Sequence, residues 1–241
     1  MSVQLNTITW GDGARSALLL HGITSNAAGW WRLGPAVADL GYAVVAADMR
    51  GHGLSPKDDD YRFTTHAEDV LELRDEWDVV IGHSMGAAVS LIAQTARPTW
   101  ADKLILEDPA LLLPNREFAT AWLLQDFLSG ADAESLAAAN PAWAPQDAQT
   151  KAEALEQCGP EVVVETLLQN DPWDVRALVA GIEVPVHLIG ADPEGGALLP
   201  PAFGEELAVA NPAVTYTQVK GSHSMHRDRW DDFWAVVSPL L

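Results

Sequence analysis

The chain has 241 residues, 48% of them hydrophobic, and a formal net charge of −20. That composition fits one globular domain with a full core, and a strongly acidic surface lacks the basic stripe that nucleic-acid binding requires. With only four lysines it also builds no obvious patch for polyanions such as acyl-coenzyme A thioesters, and the bland reading of its charge is a solvated, self-repelling surface.

Taken in chain order, residues 3–10 read as a short amphipathic first strand, with no basic-then-apolar leader before them. Apolar runs near 17–20, 42–47, 78–81, 103–106, 186–190 and 215–219 supply six more strands. Helix-length segments separate most of them. Strands alternating with helices predict an α/β fold: a mostly parallel central sheet with helices on both faces. No apolar run reaches the ~18 residues of a membrane helix. Cys158 stands alone, so neither an intrachain disulfide nor a cysteine cluster for a metal is expected. The expectation is a cytoplasmic protein without cofactor, metal, membrane or nucleic-acid partner. No heptad or apolar seam points to an oligomeric state.

The run Trp77-Asp78-Val79-Val80-Ile81 leads into Gly82-His83-Ser84-Met85-Gly86, and a helix-like stretch follows from Ala87 to Ala96. A serine between two glycines at a strand-to-helix turn sits where the backbone is too tight for neighbouring side chains. Its hydroxyl is pushed out above the sheet edge. Ser84 is therefore the candidate nucleophile.

A serine hydroxyl needs a base, an orienter for that base and donors for an oxyanion. Thr215 to Val219 alternates like a strand, and Lys220-Gly221-Ser222-His223-Ser224-Met225-His226 follows as a loop. His223 comes directly after the turn and is the candidate base, with His226 as competitor at the start of a final helix over 228–237. His187, inside an apolar strand, reads as a core residue; His66 reads as a surface residue near a helix start. Two later strands end in aspartate, at Asp108-Pro109 and at Asp192-Pro193. Asp192 lies one strand-helix-strand unit before His223 and is the preferred orienter; Asp108 is the alternative acid. The oxyanion donors are expected to be the N–H groups of Met85, directly after the nucleophile, and Ile23, in the loop His21-Gly22-Ile23 after an early strand.

These residues, together with Trp30 and the segment Asp48-Met49-Arg50-Gly51-His52-Gly53-Leu54-Ser55, resemble the α/β-hydrolase superfamily, in particular its small esterase and cofactor-free haloperoxidase-like branch. The resemblance spans nearly the whole chain. It implies Ser84 as nucleophile, His223 as base, Asp192 as orienter, and a mainly structural role for the Asp48–Ser55 segment. It excludes the dehalogenase branch, which carries aspartate where this chain has Ser84. Ser222 departs from the glycine or alanine usual just before the histidine.

Residues 110–171 contain no clear strand. Helix-like runs at 118–128, 131–139, 149–157 and 161–169 read as a helical cap inserted after the sixth core strand, between core segments 1–109 and 172–241. Trp122, Phe127 and Trp143 are candidates to line a pocket beneath it, or to pin it to the core. The expected function is a serine hydrolase acting on a small or medium carboxylic ester through an acyl-enzyme. Peroxide in place of water, or carbon–carbon bond hydrolysis, would use the same residues. A small-molecule sensor with little turnover is the reading from another class.

Overall fold

The computed structural model describes residues 2–241; residue 1, part of the expected first core segment, lies outside the described residues. Nine strands are seen among them: β1 (Thr7–Trp10), β2 (Arg15–Leu20), β3 (Tyr42–Ala47), β4 (Val79–His83), β5 (Leu104–Glu107), β6 (Leu112–Leu113), β7 (Trp173–Asp174), β8 (Val186–Gly190) and β9 (Val214–Gln218). Seven of these form one sheet in the order β1-β3-β2-β4-β5-β8-β9. Only β1 is antiparallel to its neighbour; the other five pairings are parallel.

The strand sequences explain their places. β2, β4 and β5 are unbroken buried runs apart from Arg15, as expected of central parallel strands covered on both faces. β1 alternates in exposure and sits at the edge. Two apolar layers result. One packs β2, β4 and β5 side chains such as Leu18, Val80 and Leu106 against Val89 and Leu91. The other gathers Leu19, Ile81 and Ile105 with Trp30, Phe233 and Val237. Each fully buried leucine or isoleucine contributes roughly 1.5–3 kcal/mol.

The helices are α1 (Leu33–Ala38), α2 (Phe63–Leu71), α3 (Met85–Ala96), α4 (Arg116–Ser129), α5 (Ala133–Ala139), α6 (Pro145–Cys158), α7 (Pro160–Gln169), α8 (Arg176–Val179), α9 (Pro201–Ala210), α10 (Met225–Asp228) and α11 (Trp230–Val237). The expected final helix is thus two, interrupted at Arg229. Among the described residues no helix is long and apolar enough to cross a membrane.

The insertion is all-helical between β6 and β7, which pair as a two-residue antiparallel ribbon at its root. Counting only strands of the seven-stranded sheet, it follows β5, the fifth in chain order, rather than a sixth core strand. Local chemistry sets its breaks. Asn115 caps α4 by accepting from Phe118 N at 2.9 Å, and Gly130 ends it in the left-handed region at φ 66°. Asp132 and Ser135 cap α5 reciprocally. Pro145 is the first residue of α6, where its missing N–H is harmless.

Side chains clamp this layer over the carboxyl edge of the sheet. Trp31 Nε1 donates to Asp147 Oδ1 at 2.8 Å and Asn26 Nδ2 to Gln157 Oε1 at 2.9 Å. Tyr61 N donates to Gln169 Oε1 at 2.7 Å and Phe63 N to Asn170 Oδ1 at 2.8 Å. These bonds join the segments that follow β2 and β3 to α6, to α7 and to Asn170 at the end of α7.

Candidate active site

Ser84 is the hinge between β4 and α3, at φ 53° and ψ −114°, a conformation non-glycine residues rarely hold. The flanking glycines are sterically required. A Cβ on Gly86 would lie 2.3 Å from Leu20 O, and one on Gly82 would lie 2.8 Å from the Ala87 backbone. The Ser84 backbone is held on both sides: its N–H donates to Glu107 O at 3.0 Å, and its carbonyl accepts from Ala87, Ala88 and Ala110. The strain is therefore sustained by neighbouring hydrogen bonds, and the side chain is directed into a cavity of about 370 Å³.

His223, after β9, lines the same cavity. Its Nδ1–H donates to Asp108 Oδ2 at 2.6 Å. Asp192, preferred from the sequence as the partner of His223, is elsewhere. Its Oδ1 accepts from Glu194 N at 3.0 Å and caps a short turn. The reason lies in how the two strand ends interlock. The loop after β8 contributes backbone rather than carboxylate: Ala191 N, Leu198 N and Leu199 N donate to the Asp108 carboxylate at 3.3, 2.9 and 3.0 Å. Asp108 is fully buried and sits at φ 35°, a conformation aspartate tolerates better than most residues.

His226, the competing base, is committed differently. Its Nδ1–H donates to Glu107 at 2.8 and 3.0 Å, and its backbone N–H to Glu107 Oε1 at 2.9 Å. Its ring packs on Trp30 at 4.7 Å. His83 Nε2–H donates to the His223 carbonyl at 2.8 Å, fixing the loop that carries His223. Burial, with His223 and His226 nearby, holds the His83 ring well below the usual histidine range, so it acts as a neutral brace.

Gly22 brings the loop after β2 against the elbow, since a Cβ there would sit 2.9 Å from His83 Nδ1 and 3.0 Å from Ser84 Cβ. Ile23, next in chain, lines the cavity. Met85 is the first residue of α3, so its N–H is among those a helix leaves unpaired. His21 anchors this loop. Its Nε2 accepts from Met49 N at 3.0 Å, which leaves Nδ1–H to donate to Gly22 O at 2.8 Å.

The Asp48–Ser55 segment is a built turn. Asp48 accepts from Ala27 N, Asn6 Nδ2 and Leu54 N at 2.6, 2.7 and 2.9 Å. The buried Arg50 meets Asp69 at 2.8 and 2.9 Å. His66, read as a surface residue, is buried on the inner face of α2 with neither ring nitrogen hydrogen-bonded, and burial pulls it down to about 3. His187 is only half-buried, its Nδ1 2.7 Å from Thr215 Oγ1.

Trp122 and Trp143 line the cavity as expected of cap aromatics. Trp122 meets the His223 ring edge-on at 5.7 Å. Phe127 does not line it; it packs with Leu136 and Leu155 of the cap and against the main core. Among the cavity residues that the sequence reading did not single out are two cations, Lys151 and Arg227. Arg227 follows His226 directly, and a cation four residues beyond the candidate base was its one visible signal.

A model of the alpha/beta hydrolase fold matches residues 18–190. The lipase LipV of Mycobacterium tuberculosis is 32% identical over 61% of this chain and 59% of its own length, and YfhM of Bacillus subtilis, an AB hydrolase superfamily protein, is 39% identical over 36% of this chain and 33% of its own. The chain thus spans about three fifths of the first relative's length and a third of the second's. N-formylmaleamate deformylase of Pseudomonas putida is 23% identical over 99% of this chain and 93% of its own. The solved N-formylmaleamic acid deformylase from Pseudomonas putida S16 superposes with a TM-score of 0.83 at 25% identity, covering 98% of this chain and 96% of that one. The relatives support a hydrolase, and the family model covers well over half the sequence, so the chain belongs to the α/β-hydrolase fold family.

Proposed function

We propose that this protein is a serine hydrolase that cleaves a small carboxylic ester through an acyl-enzyme. One observation carries the reading: Ser84, on its strained elbow, shares a cavity with His223, whose Nδ1 is held 2.6 Å from Asp108. In this mechanism Ser84 Oγ attacks the substrate carbonyl and His223 Nε2 takes its proton. The Asp108 carboxylate fixes the tautomer and stabilises the imidazolium. The N–H groups of Ile23 and Met85 receive the oxyanion. Collapse of the tetrahedral adduct expels the alcohol, which takes the proton back from His223. Water then attacks the acyl-Ser84 ester, again deprotonated by His223, and the carboxylic acid leaves.

Amide hydrolysis is a second reading, favoured by likeness to the deformylases over nearly the whole chain. It uses the same residues, with His223 protonating an amine instead of an alcohol.

The test is incubation with a fluorophosphonate and mass mapping of the adduct, then rates on matched methyl esters and N-formyl amides. A stoichiometric adduct on Ser84, and a loss of at least about 10³-fold in kcat in Ser84→Ala, are expected. Wild-type rates in Ser84→Ala would sink the proposal. The ester-to-amide rate ratio decides between the two readings.

A further inference from the structure

The chain is acidic overall, yet the cavity above Ser84 is lined by two cations, Lys151 and Arg227. Arg227, on α10, is only 5% exposed. One of its terminal nitrogens donates to Ser25 Oγ at 3.1 Å, and its guanidinium carbon lies 4.9 Å from the Trp143 ring centre. Its Nε is buried without a hydrogen-bond partner. A guanidinium carries five N–H donors, and these contacts leave most of them unused.

The nearby carboxylates act on Arg227 only through space and are occupied elsewhere. Asp147 accepts from Trp31 Nε1 and Ala144 N. Glu107 holds His226. Asp126 lies 3.4 Å from Lys151 Nζ. Among the described residues no carboxylate forms an ion pair with Arg227. A buried cation without a partner is costly, and here it faces a cavity rather than packed core.

Lys151, on α6, donates to Thr24 Oγ1 at 2.6 Å and Thr24 O at 3.2 Å. Thr24 and Ser25, the anchors of the two cations, directly follow Ile23, the proposed oxyanion donor. The positive charge is thereby tied to the loop beside the reacting carbonyl.

We propose that this cavity recognises a carboxylate carried by the substrate, with Arg227 as the principal ligand and Lys151 adding charge. This rests on the reading of Ser84 as nucleophile and narrows its substrate to carboxylate-bearing esters or amides, such as half-esters of short dicarboxylic acids. A single carboxylate suits the site; the strongly acidic exterior disfavours larger polyanions.

The first test uses the full wild-type chain and the rate of fluorophosphonate labelling at Ser84. Succinate is expected to slow labelling, and the neutral succinamide to leave it unchanged. The second compares kcat/KM for monomethyl succinate with that for methyl butyrate. In Arg227→Gln this ratio is expected to fall by about 30-fold, the range of a lost charge-assisted pair. Arg227→Lys restores part of it, and Lys151→Met lowers it less. The ratio is internal to each variant, so partial unfolding, which scales both rates, leaves it unmoved. Equal protection by succinate and succinamide, or an unchanged ratio in Arg227→Gln, overturns the proposal. Calorimetric titration of Ser84→Ala with succinate reads the anion site without turnover. Succinate binding there together with unlabelled wild-type Ser84 would remove the nucleophile and leave the carboxylate site standing.

Discussion

Asp108 Oδ2 lies 2.6 Å from Nδ1 of His223, across 115 residues of sequence. Three backbone N–H groups from the loop after β8 hold the same carboxylate. These donors fix the orientation of the carboxylate so that Oδ2 meets the imidazole.

Asp108→Asn is accordingly expected to lower kcat by about 10³–10⁴-fold, because an amide in that place favours the wrong imidazole tautomer. Asp192→Asn should stay within about threefold, since Asp192 only caps a turn. Steady-state kinetics on one ester measures both. The reverse ranking would return the orienting role to Asp192.

Gly22→Ala tests the proposed oxyanion loop. The added methyl meets His83 Nδ1 and Ser84 Cβ at about 3 Å, and the loop must retreat. Displacing the Ile23 donor should reduce kcat by about 10²–10³-fold, with far less change in KM. A proportional rise in KM at constant kcat would place the effect in substrate binding instead.

Glu107→Ala removes a fully buried carboxylate that accepts from two donors of His226, its backbone N–H and its ring Nδ1–H. Leaving these buried N–H donors unsatisfied costs about 1–3 kcal/mol each. Urea unfolding followed by tryptophan fluorescence should show a lower midpoint at unchanged slope. A midpoint within experimental scatter of wild type would mean that His226 is not held by Glu107.

The buried His66 sets an acid limit on stability. Its folded value of about 3 lies below the ordinary 6.5, so between those values the unfolded chain binds a proton the folded chain does not. Stability is full above pH 6.5 and falls as pH drops towards 3, by about 1.4 kcal/mol per pH unit from this group. His66→Leu should flatten that limb in denaturant titrations at pH 4 to 7. An unaltered slope would show that His66 titrates freely.

The sheet and the elbow were legible because their signals are local. Unbroken apolar runs in β2, β4 and β5 mark central parallel strands, and Gly82 and Gly86 mark a turn that no other residue can make. His223 was legible for a similar reason: it follows directly on a strand and turn, in a loop the sheet must carry to its carboxyl edge. The cap was recognisable as helical but not in detail, since nothing in the periodicity of residues 118–128 distinguishes Trp122, which faces the cavity, from Phe127, which packs within the cap and against the main core.

By itself, then, the sequence determined the fold class, the strand-to-helix elbow that carries Ser84 and the loop that carries His223, each written in a contiguous stretch of backbone chemistry. The partner of His223 and the charge of the cavity were decided only by tertiary structure. Asp108 and Asp192 end neighbouring parallel strands and look alike in one dimension. Which reaches the imidazole depends on the loop after β8 folding over Asp108 and offering it N–H groups. Arg227 likewise reads as one charge in an acidic chain until α10 and Trp143 of the cap bury it beside Ser84, because burial and the absence of a partner are properties of packing.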